Sequence, residues 1–160
     1  MAQPNPCKIN FQGQNGGYVM INDEGTLSVS TTDEPGNDNV IFEKQRVTWT
    51  ENSEEIVTFR SYLDKSKYLC GYEHGHIVTG KPQFICDTLQ PGPSHWVLKS
   101  YADLTTDADT DSNKSGRVAL YHQYTGCYFV IKHDPHSSTD FRLSNVDDVP
   151  DYGAFVLEKI

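Results

Sequence analysis

The sequence predicts an all-β body built from three copies of one unit, and three observations carry that prediction. Tyrosine-centred apolar runs recur at Tyr18-Val19-Met20-Ile21, Tyr68-Leu69-Cys70 and Tyr128-Phe129-Val130-Ile131, the tyrosines 50 and 60 residues apart. Each copy closes on an aromatic within an apolar run: Val40-Ile41-Phe42, His95-Trp96-Val97-Leu98 and Ala154-Phe155-Val156-Leu157, the aromatics 54 and 59 residues apart. No window offers the 3.6-residue apolar spacing over a dozen residues that an amphipathic helix needs. Repeats of this length mean units that bury a common core no single unit could bury alone. A propeller blade also has four strands, but propellers usually take four or more blades. Three four-strand units fit a six-stranded barrel capped by three hairpins, the β-trefoil.

Taken in order, Ile9-Asn10-Phe11 opens the first unit and Asn15-Gly16-Gly17 turns it into the Tyr18 strand. Asp23-Glu24-Gly25 supplies the next turn, and Thr26-Leu27-Ser28-Val29-Ser30 alternates as a half-buried strand does. Pro35-Gly36-Asn37 breaks the chain before the closing run, and Arg46-Val47-Thr48-Trp49-Thr50 reads as a further half-buried strand. Ile56-Val57-Thr58-Phe59 opens the second unit, with turns at His74-Gly75 and Pro91-Gly92-Pro93. Val118-Ala119-Leu120 opens the third, whose hairpin turns near Asp134-Pro135. The units cover about 8–50, 56–101 and 117–160 of one domain spanning 1–160, with an acidic, flexible insertion at 103–115.

Composition narrows the function. A chain of 160 residues buries a core without metals or disulfides to staple it. Net charge is −9 and the 13 Lys and Arg are scattered singly, so nucleic acid and sulfated polysaccharides are not expected partners. The polar start and the absence of a long apolar run predict a cytoplasmic protein without a membrane segment, leaderless secretion remaining compatible. Cys7, Cys70, Cys86 and Cys127 have no CxxC spacing and are expected to be small buried hydrophobes.

Specific chemistry is sparse. His74/His76 and His133/His136 are local pairs, but zinc needs three or four converging ligands and both pairs fall at turns, where polar residues belong. No metal or cofactor is expected. Asp107-Ala108-Asp109-Thr110-Asp111-Ser112-Asn113 imitates half a calcium loop, yet Ser112 stands where an EF-hand wants Gly and Val118 where it wants Glu. No GxSxG elbow is present, and Glu54/Glu55 and Asp147/Asp148 sit in polar runs, so an enzyme is not expected.

Lys67-Tyr68-Leu69-Cys70-Gly71-Tyr72-Glu73-His74-Gly75-His76-Ile77-Val78 resembles the strand–turn–strand of fascin repeats and hisactophilin. Gly17 to Ser28 repeats that pattern and is also similar, more distantly, to fibroblast growth factor repeats. Phe155-Val156-Leu157-Glu158 matches the ending these families share, whereas Lys132-His133-Asp134-Pro135-His136 departs from the glycine-containing turn, so a different third hairpin is expected. The resemblance implies a non-catalytic recognition module, monomeric or weakly dimeric, that binds an intracellular protein, a cytoskeletal one included. A carbohydrate-binding lectin is the alternative, followed by a leaderless cytokine-like ligand and a protease inhibitor. The Gln-x-Trp signature of ricin-type lectins is absent: Val40, Ser94 and Gly153 stand two residues before the closing aromatics.

Since closing strands are committed to the interior, specificity is expected on the hairpin turns. Asp23 marks the first, Tyr72, Glu73, His74 and His76 the second, and His133 and Asp134 the third. The second offers an aromatic face beside hydrogen-bonding groups, a mixture suited to a sugar or a small protein patch.

Overall fold

The computed structural model describes residues 4–11, 17–24, 26–31, 37–71, 92–104, 116–133, 139–147 and 149–160. Ten strands are described: β1 (Asn5–Phe11), β2 (Gly17–Ile21), β3 (Leu27–Ser30), β4 (Ile41–Trp49), β5 (Glu55–Ser61), β6 (Trp96–Ser100), β7 (Val118–His122), β8 (Cys127–His133), β9 (Thr139–Ser144) and β10 (Phe155–Lys159). Six of them close a ring of antiparallel neighbours, β1–β4–β5–β6–β7–β10 and back to β1. Closure removes the sheet edges that would otherwise invite pairing with other chains. Two hairpins, β2–β3 and β8–β9, stand off this ring. The fold is a β-trefoil.

Register exposes the threefold relation. Tyr18 lies opposite Asn10, Tyr68 opposite Arg60 and Tyr128 opposite Tyr121. Three residues earlier on each opening strand, Cys7 faces Phe42, Val57 faces Trp96 and Val118 faces Phe155. The closing aromatics are therefore equivalent, and all three are wholly buried. Phe129 stacks on Phe155 at 5.5 Å and meets Trp96 at 5.7 Å, while Phe42 meets Phe59 edge-on at 6.4 Å, and all five belong to one hydrophobic core. The tyrosines form an equivalent but only half-buried set, their rings carrying a polar tip; the Tyr18 hydroxyl donates to the Glu158 carboxylate at 3.1 Å. Cys7, Cys70 and Cys127 are buried, and Cys86 lies outside the described residues.

Two details differ from the sequence expectation. Val40 belongs to a short 3-10 turn, and Arg46 to Trp49 continue β4 rather than forming a strand of their own. A bulge between Arg46 and Thr48 shifts the register there, so alternation no longer marks inside and outside, and Val47 and Trp49 are exposed. The third hairpin differs from the first, as its turn sequence leads one to expect: it carries six paired positions against four, reaching His133 opposite Thr139.

Candidate functional site

Of the turn residues expected to bind a ligand, Asp23 is described: it is exposed on the first hairpin turn. That turn is organised by Asn22, whose Oδ1 accepts from the amides of Glu24 (3.0 Å) and Thr26 (3.1 Å) and from the Thr26 hydroxyl (3.0 Å). His133 ends β8, and only its backbone position is described. Tyr72, Glu73, His74, His76 and Asp134 lie outside the described residues, as do 105–115 of the acidic insertion.

The residues flanking 72–91 are anchored through Pro93. The Pro93 carbonyl accepts from the Gly71 amide at 2.9 Å and from His122 Nε2 at 2.9 Å. Since a carbonyl can only accept, Nε2 carries the imidazole proton, and Nδ1 accepts from the Thr125 hydroxyl at 2.7 Å. His122 is completely buried, and that burial depresses its pKa below the ordinary value of 6.5. His122 stands beside Cys127 as Phe11 stands beside Gly17, so one unit uses a hydrogen-bonded histidine where another uses a phenyl ring. The His122–Pro93 contact thus fastens two units together. It presents no accessible nucleophile.

A concave surface lies at the opposite end of the closing strands, where their aromatics give way to the barrel mouth. Two residues beyond Phe42, Trp96 and Phe155 come Lys44, Leu98 and Leu157, which face Phe59, Leu120 and Ile9 respectively. These are equivalent positions, and one holds a lysine where the others hold leucine. Lys44, Leu98 and Leu157 line a groove of about 700 Å³. Along one wall runs the turn from β4 to β5, closed by Thr50 N to Glu54 O at 2.8 Å and by Glu54 N to Thr50 Oγ1 at 3.0 Å. Ser53 within it adopts φ 66°, a left-handed conformation unfavourable for a residue with a Cβ. This turn delivers Asn52, Ser53 and Glu54 to the groove, with Trp49 at its edge.

Trp49 is 49% exposed, and the Arg46 guanidinium sits 4.7 Å from its ring centroid, fixing the indole from one side. Lys99 Nζ lies 3.3 Å from both Glu54 oxygens and 5.1 Å from the Tyr121 ring centroid. Lys44 Nζ lies 3.8 Å from Glu55, close enough for attraction and too far for a hydrogen bond. A second, smaller recess of about 270 Å³ adjoins the groove, sharing Lys44 and Leu157 and adding Asn5, Cys7 and Lys159. Burial pushes the Cys7 thiol up to about 11 against the opposing influence of Lys44, so it stays neutral.

None of the mouth residues was singled out by the sequence as a binding group. A usable signal existed in the repeat alignment, where Lys44 breaks the Leu98 and Leu157 pattern. Trp49 carried none, because the bulge that exposes it leaves no mark in the alternation. Among the described residues, no three His, Cys, Asp or Glu side chains converge as metal ligands.

No family model and no curated protein matches the chain. Solved structures do. One similar structure is SeviL bound to asialo-GM1 saccharide, at 17% identity over 98% of each chain with a TM-score of 0.63. Another is a BEL beta-trefoil, at 11% identity over 100% of this chain and 96% of that one, TM-score 0.67. A third is Polyporus squamosus lectin bound to a human-type influenza-binding epitope, at 10% identity over 99% of this chain and 50% of that one, TM-score 0.66. At these identities the likeness is one of fold.

Proposed function

We propose that this protein is a non-catalytic glycan-binding module and that the groove at the barrel mouth is its sugar site. The observation that carries the proposal is the half-exposed Trp49 at the edge of a groove also lined by Asn52, Glu54 and Lys99. An indole face packs against the C–H face of a pyranose, while amide, carboxylate and ammonium groups exchange hydrogen bonds with its hydroxyls. A volume of about 700 Å³ lies within the range of sites for compact ligands, roughly 300–1,000 Å³. Two of the similar structures were solved with saccharides, which moves the balance from a fascin- or hisactophilin-like protein partner to the sugar alternative.

Glycan-array binding of the full chain and of Trp49→Ala tests this, with actin co-sedimentation alongside. Retained glycans are expected to lose about 30-fold in affinity in the variant, the ~2 kcal/mol of a buried aromatic anchor. The melting temperature is expected to stay put, because the indole is half exposed. Binding that survives Trp49→Ala would place the site elsewhere, and co-sedimentation with actin without any glycan binding would overturn the proposal.

A further inference from the structure

The smaller recess differs in charge from the groove beside it, and that difference specifies more about the ligand. The groove is lined by Glu54, Glu55 and Asp103 against Lys44 and Lys99. Its neighbour is lined by Lys44 and Lys159 with no acidic side chain among its described walls. Lys159 faces Cys7 across the β1–β10 ladder, two positions beyond Leu157, so it continues the same inward row at the rim.

Lys44 is the more informative cation. It occupies a barrel-interior row whose two equivalents are Leu98 and Leu157, and its side chain is only 24% exposed. Placing an ammonium there costs desolvation that a leucine would not incur. Its contact with a described carboxylate is the 3.8 Å approach to Glu55, and among the described residues no acceptor stands at hydrogen-bond distance from its N–H donors. The adjacent Cys7 thiol is neutral and does not offset the charge. A partly desolvated lysine with donors to spare, opening onto a recess that a second lysine borders, is arranged to receive an anion.

We infer that the recess holds the carboxylate of an acidic sugar, such as a sialic or uronic acid, while the sugars attached to it lie along the groove and Trp49. The inference rests on the glycan-binding proposal above. At about 270 Å³ the recess is smaller than a complete site and suits one terminal residue of a longer ligand. The overall charge of −9 does not oppose this. A polyanion experiences the whole field, but one carboxylate within a few ångströms of two ammonium groups is governed by them, since the screening length is roughly 8 Å at physiological salt.

The test compares matched ligands on the full chain by calorimetry: 3′-sialyllactose, a glucuronate-terminated disaccharide, a 6-sulfated lactose and lactose itself. The expected result is at least tenfold tighter binding of the two carboxylates than of lactose, with the preference shrinking as salt rises. Lys44→Leu, which restores the residue of both equivalent positions, should keep or raise the melting temperature and abolish the preference. Lys159→Gln, a change at an exposed rim position, should reduce it severalfold. Equal affinity for lactose and its sialylated form would overturn the acidic subsite while leaving glycan binding intact. Selective binding of the sulfate, or a preference that persists in Lys44→Leu, would also overturn it. Failure of every ligand here and of every array glycan would remove both proposals together.

Discussion

His122 shows how much one side chain can depend on distant partners. Its imidazole is satisfied only as the Nε2–H tautomer, donating to Pro93 and accepting from Thr125. Burial lowers its folded pKa, so the unfolded chain takes up the proton first as pH falls. Stability from this group is therefore complete above about 6.5, the ordinary imidazole value, and is lost as pH drops from there toward the folded value. His95, also depressed by burial, acts with the same sign. Denaturant midpoints are expected to fall between pH 7.5 and pH 5, and His122→Phe, which copies Phe11, should flatten that slope. An unchanged slope in the variant would mean the proton is taken up elsewhere. Gly71 belongs to the same cluster: a Cβ there would stand 2.9 Å from His122 Nε2 and 2.9 Å from Leu143 Cδ1. Gly71→Ala is expected to cost about 1–3 kcal/mol by overcrowding. Nothing in the sequence announced these contacts, because Pro93 and His122 are 29 residues apart and linked only through the fold.

Among the elements, β4 and the turn that follows it decide the shape of the mouth. The run Arg46–Thr50 has the alternation of a half-buried strand, yet the bulge turns Val47 and Trp49 outward. A pattern of period two states which residues share a face and not which face is buried, so one extra residue upstream reverses the meaning. The turn itself is held by Thr50, whose hydroxyl accepts the Glu54 amide, and by Ser53 in a left-handed conformation. Ser53→Gly removes the Cβ penalty at φ 66° and is expected to raise stability by about 1 kcal/mol, read as a higher denaturant midpoint. A lower midpoint would show that the serine side chain contributes more than its backbone costs. The first hairpin was legible at the same scale: Asp23-Glu24-Gly25 signals a turn, and the structure closes it through Asn22 Oδ1.

For the whole molecule, the recurring aromatics were the legible part because core packing repeats with the symmetry while ligand chemistry does not. Tyr18, Tyr68 and Tyr128 occupy one register, and Phe42, Trp96 and Phe155 another. The proposed site lies where that symmetry fails, at Lys44 in a leucine row and at Trp49 beyond a bulge. Only the symmetric layer can be predicted from spacing alone. Truncating each closing aromatic to Ala should cost ~3–5 kcal/mol, since each is completely buried in a close-packed interior. The three costs should not be equal. Trp96 also donates its indole N–H to the Leu69 carbonyl at 3.0 Å and packs on Phe129 and His122. Its loss leaves a larger cavity and an unsatisfied buried carbonyl, so Trp96→Ala should be the most damaging of the three. Trp96→Phe separates the two effects: it retains much of the packing and forfeits the hydrogen bond, placing its cost between wild type and Trp96→Ala. Chemical denaturation of the four variants gives the ranking directly. A Phe42→Ala or Phe155→Ala cost near that of a surface substitution would mean that the threefold register does not correspond to a shared load in the core.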